Sequence, residues 1–231
     1  MYGSDYSALI LPRLLSTLDR TPAPSKRIVD VACGTGTLAL VMARRGWQAS
    51  GVDASPGMID ASRRKAVEFG QPVRFFCQDM RSFVVPERAG LVTSFYDSVN
   101  HLLTLRDVRG FFRSASRALE SGGLLIFDVN NEACYRKLWK GITTIEHADF
   151  TLVLNNSYAP SRSIARSRVL VHYHGVPPRS PGTASGPATH HAFAAQPGSE
   201  QSTTPSRSLS APSQHASGAH GAAEYHPAVQ P

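Results

Sequence analysis

The sequence predicts a doubly wound α/β fold, a parallel sheet with helices on both faces. Three observations predict it. Short apolar runs alternate with amphipathic segments as far as Val129. One run leads directly into a glycine pair, Gly34 and Gly36. An acid, Asp53, closes the next run 17 residues after Gly36. Apolar strands separated by helices need cover on both faces, and a parallel sheet between two helix layers provides it.

Each element has a local reason. Arg27–Ala32 is β-branched and reads as a strand ending at the glycine turn. Thr37–Arg45 reads as a helix stopped by Gly46, since glycine takes the left-handed conformation that ends helices. Gln48–Asp53 is the second strand. Ser55 is a good N-cap, Pro56 suits the first helical position, and that helix is expected to reach Gly70. Val73–Cys77 and Leu91–Phe95 read as the third and fourth strands. Val108, Phe111, Phe112, Ala115 and Leu119 fall on one helical stripe. Thr104 and Asp107 form a capping box before it, and Gly122-Gly123 is expected to end it. Leu124–Val129 is the fifth strand. Beyond it the pattern changes: Phe150–Asn155 and Arg166–His174 read as strands with no helix between them. That predicts a small antiparallel cap over the site, within 130–174.

Composition divides the chain near residue 175. The 57 residues from there on hold 11 Ala, 9 Pro, 9 Ser and 6 Gly, with few large apolar side chains. Ordering a backbone costs ~1–2 kcal/mol per residue, which such a segment cannot offset by burial. Residues 175–231 are therefore expected to be a disordered low-complexity tail, and 1–174 the folded domain. The tail is neutral, so the net charge of +7 lies in 1–174. Its arginines are scattered at helix-surface spacing without interleaved aromatics, which disfavours nucleic acid as a partner. No apolar run is long enough to span a bilayer. Cys33, Cys77 and Cys134 are odd in number and widely spaced, which predicts a reducing, cytoplasmic setting. Five of the nine histidines lie beyond residue 175 at irregular spacing, and no metal site is expected.

The chemistry is carried by the strand ends. Glycine at 34 and 36 allows a sharp strand-to-helix turn and close approach of a ligand. A carboxylate at 53 can accept from both hydroxyls of an adenosine ribose. Dinucleotide enzymes place an acid there too, so this pair leaves two cofactors open. Asp79 closes the third strand, and the polar run Tyr96-Asp97-Ser98-Val99-Asn100-His101 follows the fourth. Taken together, these stretches resemble the class I S-adenosylmethionine-dependent methyltransferases, in the branch acting on small molecules.

The resemblance implies a Rossmann-like sheet, S-adenosyl-L-methionine as cofactor and a small-molecule methyl acceptor. Asp30 and the backbone around Ala32, Gly34 and Gly36 would hold the methionine portion. Asp53 would bind the ribose, with Ala54 and Met58 on the adenine side. Asp79 would meet the adenine amino group, with Met80 beside the ring. Tyr96 would lie near the sulfonium, and Tyr6, ahead of the first helix, would close over the site. His101 and Asp97 are the candidate catalytic residues, needed only if the acceptor must lose a proton. Ala32 replaces the first glycine of the family pattern, and Gly90 stands where an acid is usual. The family's final helix and two strands have no counterpart after His174. The chain is thus expected to lack those C-terminal strands, through a frame change or a fused end near residue 175. The alternatives are an inactive, truncated cofactor-binding domain and an NAD-dependent oxidoreductase. Oligomeric state and accepting atom are not encoded in any motif.

Overall fold

The computed structural model describes residues 3–175 and 189–194. Helix α1 (Gly3–Arg20) precedes a run of β1 (Arg27–Val31), α2 (Thr37–Arg44), β2 (Gln48–Asp53), α3 (Pro56–Glu68), β3 (Arg74–Cys77) and β4 (Ala89–Ser94). A short 3-10 turn (Ser98–His101), α4 (Leu105–Ala118) and β5 (Leu119–Phe127) complete the sheet region. All five strands are parallel, in the order β3-β2-β1-β4-β5. Strand order therefore reverses between β1 and β4, where crevices for ligands open beyond the strand ends.

Alternation along the central strands sorts the core onto the two faces. Ile28 and Leu91 pack with Leu14, Leu40, Met42, Ile59 and Phe75 under α1, α2 and α3. Val29, Val31 and Val92 pack with Phe83, Phe111 and Ala115 on the opposite face, under α4. The caps fall where the sequence puts them. Ser55 Oγ accepts from Met58 N at 3.3 Å, and Thr104 Oγ1 accepts from Asp107 N at 3.1 Å.

Glycine requirements come from packing as much as from the turn. A Cβ on Gly36 would lie 2.5 Å from Phe75 Cζ, and one on Gly51 2.6 Å from Phe75 Cδ1. The Phe75 ring occupies the slot between these two glycines, so at Gly36 the close approach is made by the protein's own core. Gly90 has the same kind of explanation. A Cβ there would meet the backbone of Ser25 at 2.5 Å, which excludes the acid of the family pattern.

Several boundaries differ from the sequence expectation. α4 ends at Ala118, and Gly122-Gly123 lie inside β5 beside a bulge opposite Ala89 and Leu91. Glu120, held by Ser25 Oγ at 2.9 Å and by Arg27, pins the chain to the start of β1 and converts the expected last helical turn into strand. Phe112 is not part of the buried stripe. It is 37% exposed and packs edge-on against Phe127 of β5, with Ser114 and Ala118 buried in its stead. Tyr6 lies within α1 rather than ahead of it.

After β5 come α5 (Glu132–Leu138), β6 (Gly141–Glu146), β7 (Phe150–Ala159) and β8 (Ile164–Tyr173). The last three form an antiparallel cap sheet, larger by β6 than the expected hairpin. A ninth strand, β9 (Thr189–Ala194), pairs antiparallel with β8. At those six positions a strand stands where the sequence predicts an unstructured tail, its backbone pairing with the edge that β8 leaves open. The rest of the expected tail, 176–188 and 195–231, lies outside the described residues. Among the described residues β9 joins the cap sheet and β5 remains at the edge of the parallel sheet.

Candidate functional site

The site is built at the carboxyl ends of β1, β2 and β4. β1 runs into Ala32, whose φ of 56° is left-handed, followed by Gly34 at 54° and Gly36 at 75°. The loop is fastened from β2. Cys33 N donates to Val52 O at 3.0 Å, and Gly34 N donates to Asp53 Oδ2 at 2.9 Å. The other carboxylate oxygen, Oδ1, accepts from Ser55 N at 2.9 Å. Asp53 is buried, and its carboxylate thus ties the glycine loop to the start of α3. Each carboxylate oxygen has lone-pair capacity beyond one hydrogen bond, so this geometry fits a pair of ribose hydroxyls.

Ala32 occupies its position at a backbone cost. Space for its methyl is the smaller issue; the left-handed conformation costs an L-residue roughly 1–2 kcal/mol. Ala32→Gly is expected to raise the thermal midpoint by a few degrees, the strain relief exceeding the added chain entropy of glycine. Thermal melts of the two proteins check this; a lowered midpoint would contradict it.

Asp30 is buried beside the loop, where Thr93 Oγ1 donates to its Oδ1 at 2.8 Å. Burial raises its carboxyl to about 7, opposed by the Thr93 hydrogen bond and helped by the charge of Asp53. At the end of β3, Asp79 accepts from Arg81 N at 2.7 Å and from the Arg81 guanidinium, which also reaches Asp107 at 3.3 Å. Burial pushes Asp79 upward, but the Arg81 hydrogen bonds and charge outweigh it and hold the carboxyl below its ordinary value. Part of its accepting capacity is spent inside the protein. Met58 is 9% exposed at the start of α3, and Met80 packs partly buried against the α4-side core. Ala54 is half-buried between Asp53 and Ser55.

The loop after β4 holds two further left-handed residues, Tyr96 at φ 67° and Asp97 at φ 49°. Nothing local explains them. Asp128, just beyond β5, does: its carboxylate accepts from Tyr96 N at 3.1 Å and from Asp97 N at 2.8 Å. Asp97 in turn accepts from Asn130 Nδ2 at 3.2 Å, and burial raises its carboxyl to about 7 against that hydrogen bond. Asn100 is fully buried and clamps Asn130 through both ends of its amide, at 2.9 Å and 2.8 Å. His101 closes the 3-10 turn, half-buried. Asp128, Asn130 and Asn100 hold the loop in place; sequence reasoning singles out Asn100 in the polar run and leaves Asp128 open between facing the cleft and capping the loop, and it misses Asn130. Their only signal was polar side chains ending two adjacent apolar strands. Asp53 and Gly34 are in direct contact, as are Asp97 and the Asn130 clamp; Asp79 stands apart with Arg81. Among the described residues, no cluster of His, Cys, Asp and Glu could hold a metal ion.

A glycine turn tied to an acid at the end of the neighbouring strand, in a 3-2-1-4-5 parallel sheet, is a Rossmann-like arrangement similar in fold to S-adenosylmethionine-dependent methyltransferases of known structure. Residues 28–123 match the family model described as a methyltransferase domain. A protein of Geobacillus sp. (strain WCH70) named as a methyltransferase is 39% identical over 107 residues, covering 46% of this chain and 43% of the relative. The dTDP-3-amino-3,4,6-trideoxy-alpha-D-glucopyranose N,N-dimethyltransferase of Streptomyces venezuelae is 28% identical over 126 residues, covering 54% of this chain and 51% of the relative. The chain thus spans about half the length of the curated relatives it matches. The crystal structure of an S-adenosylmethionine-dependent methyltransferase from Clostridium acetobutylicum superposes with a TM-score of 0.67, covering 80% of this chain and 72% of that one. At 20% identity that likeness speaks for the fold alone. No helix among the described residues is long and apolar enough to cross a membrane.

Proposed function

We propose that this chain transfers the methyl group of S-adenosylmethionine to a small-molecule acceptor, with the Gly34–Gly36 loop and Asp53 holding the cofactor. The observation that carries this reading is the Asp53 carboxylate, buried at the end of β2 and hydrogen-bonded to Gly34 N at 2.9 Å. Asp53 takes the ribose hydroxyls. Asp30 and the backbone at Ala32, Gly34 and Gly36 take the methionyl amino and carboxylate groups. Ala54 and Met58 line the adenine, Asp79 accepts from its amino group with the capacity Arg81 leaves, and Met80 lies beside the ring. Tyr96 faces the sulfonium. The cofactor supplies an already activated methyl group, so the protein's task is alignment in a dry crevice, an effect of up to ~7–11 kcal/mol in well-oriented systems. Asp97, with a carboxyl near neutrality, is placed to take a proton from an acceptor amine or hydroxyl, and His101 is the second candidate. A cytoplasmic location accords with Cys33, Cys77 and Cys134 standing outside any disulfide.

Proton counting tests the site. Asp30 titrates at about 7 in the cofactor-free protein. A bound ammonium favours its ionised form, so binding at pH 6 is expected to release close to one proton, and at pH 8.5 none. Titration calorimetry with S-adenosylhomocysteine in buffers of different ionisation enthalpy measures this. Asp30→Asn should abolish the release. Heats that do not depend on buffer at pH 6 would remove Asp30 from the site, and NAD binding in place of S-adenosylhomocysteine would return the oxidoreductase reading. Cofactor binding without methyl transfer to any acceptor would favour the inactive domain.

A further inference from the structure

We propose that Arg81 is a positioning residue that aims the Asp79 carboxylate and so makes the site specific for a 6-aminopurine over a 6-oxopurine. The inference rests on the reading that places Asp79 at the adenine amino group, and it adds the residue that gives Asp79 its selectivity.

Asp79 leaves β3 on a turn built around Arg81. Ser82 N donates to Asp79 O at 3.0 Å, and Arg81 N donates to Asp79 Oδ1 at 2.7 Å. The Arg81 guanidinium folds back onto the same side chain. Its Nε lies 3.0 Å from Oδ1 and 2.9 Å from Oδ2, and Nη2 donates to Oδ2. Both carboxylate oxygens are engaged by one rigid planar group, which fixes the rotation of the carboxylate. Each oxygen keeps lone-pair capacity for a further donor.

Arg81 is itself held by α4. A Cβ on Gly110 would lie 3.0 Å from Arg81 O, so the helix packs directly against this stretch of backbone. The buried Ser114 donates its hydroxyl proton to Arg81 O at 3.1 Å. Asp107 Oδ1 accepts from Arg81 Nη1 at 3.3 Å, while Thr104 Oγ1, at the α4 cap, donates to Asp107 Oδ2 at 2.6 Å. Helix, arginine and Asp79 therefore form a chain in which each member is oriented by the one before.

Stability does not account for the pair. The Arg81 and Asp79 side chains are 36% and 25% exposed, and ion pairs so placed contribute little to folding. What the pair fixes is the character and direction of the acid. Burial pushes the Asp79 carboxyl upward, but the Arg81 hydrogen bonds and charge outweigh it and hold it below its ordinary value. An ionised carboxylate only accepts hydrogen bonds. It matches the amino group at position 6 of adenine, and it meets the oxygen at position 6 of hypoxanthine as acceptor against acceptor. Sites discriminate most strongly between isosteres when the wrong one leaves a polar group unpaired.

Competition calorimetry on the full chain, with S-adenosylhomocysteine and its deaminated analogue S-inosylhomocysteine, tests this. The wild-type protein is expected to favour S-adenosylhomocysteine about 100-fold. Arg81→Met keeps the aliphatic stem and removes the fork. It should lower that ratio to about tenfold or less through weaker S-adenosylhomocysteine binding, with Tm unchanged within about two degrees. Arg81→Lys, a point charge without the planar fork, should restore only part of the ratio. Asp107→Asn, which loosens Arg81 and leaves Asp79 intact, should lower it about threefold. A wild-type ratio in Arg81→Met, both ligands weakening alike, would make the arginine merely structural and overturn the inference. Tighter S-adenosylhomocysteine binding in that variant would show Arg81 competing with the purine, and would overturn it too. Asp79→Ala separates the inference from the reading beneath it. Its ratio should fall close to unity; if it does so while Arg81→Met keeps the wild-type ratio, the placement of Asp79 stands and the role of Arg81 falls. An unselective wild type, or a wild-type ratio in Asp79→Ala, would remove Asp79 from the purine and overturn both.

Discussion

Asp53→Ala is expected to weaken S-adenosylhomocysteine binding at least about 100-fold. Two hydrogen bonds from ribose hydroxyls to a charged acceptor contribute ~1.5–3 kcal/mol each, and every 1.4 kcal/mol is tenfold. Sequence reasoning alone expects the fold to survive unchanged, since a ribose-binding carboxylate has no packing role. The structure revises that. Gly34 N and Ser55 N both donate to Asp53, so the variant also leaves two backbone donors without their acceptor. A loss of about 1–2 kcal/mol in stability should accompany the loss of binding. Asp53→Asn separates the two roles: its remaining carbonyl oxygen keeps one loop contact, while the charge and half the accepting capacity go. Calorimetry and denaturant melts on the three proteins report both quantities. Wild-type affinity in a folded Asp53→Ala protein would refute the assignment.

Gly34→Val should be as damaging for binding and worse for stability. At φ 54° a β-branched side chain is strained whatever space surrounds it. Its bulk would also stand in the turn that must lie against the cofactor. S-adenosylhomocysteine affinity should fall below detection and Tm should drop by several degrees, because left-handed strain alone amounts to roughly 1–2 kcal/mol. His101→Ala, at the end of the 3-10 turn on the acceptor side, should change cofactor affinity less than threefold. Equal losses of affinity in the two variants would mean that the cofactor and acceptor sides have been exchanged.

What the sequence made legible was local. The strand ends at Asp30, Asp53 and Asp79 follow from β-branched runs broken by glycine or turn residues, and the Ser55 and Thr104 caps from hydroxyl chemistry next to the helices they cap. The glycine turn was legible as a turn, but not the reason for Gly36, because the Phe75 ring that fills its slot comes from β3, with α2, β2 and α3 between them in the chain. The end of α4 was missed for a similar cause. Gly122-Gly123 is a sound stop signal, yet Glu120 is claimed by Ser25 and Arg27, 93 to 95 residues earlier, before the helix reaches it. The acceptor side was least legible. Tyr96 and Asp97 adopt left-handed backbone only because Asp128 reaches across from the next strand, and no spacing rule encodes that. The cap shows the same limit: β6 and the six-residue β9 are weak strands by themselves and exist as additions to the edges of β7 and β8.

The reversal of strand order between β1 and β4 also bears on how the chain assembles. β1 pairs with β2 across a connection of about twenty residues, Ile28 meeting Ala49, but with β4 only after more than sixty, Ile28 meeting Leu91. Loop closure grows costlier with separation, and non-local pairings form late. The β1-α2-β2-α3-β3 unit therefore needs only short-range closures, and it carries Gly34, Gly36 and Asp53 whole. Asp97 and its Asn130 clamp await the docking of β4 and β5, and the cap follows them. On the proposed reading, the half of the domain that takes the cofactor closes first, and the acceptor side is assembled onto it.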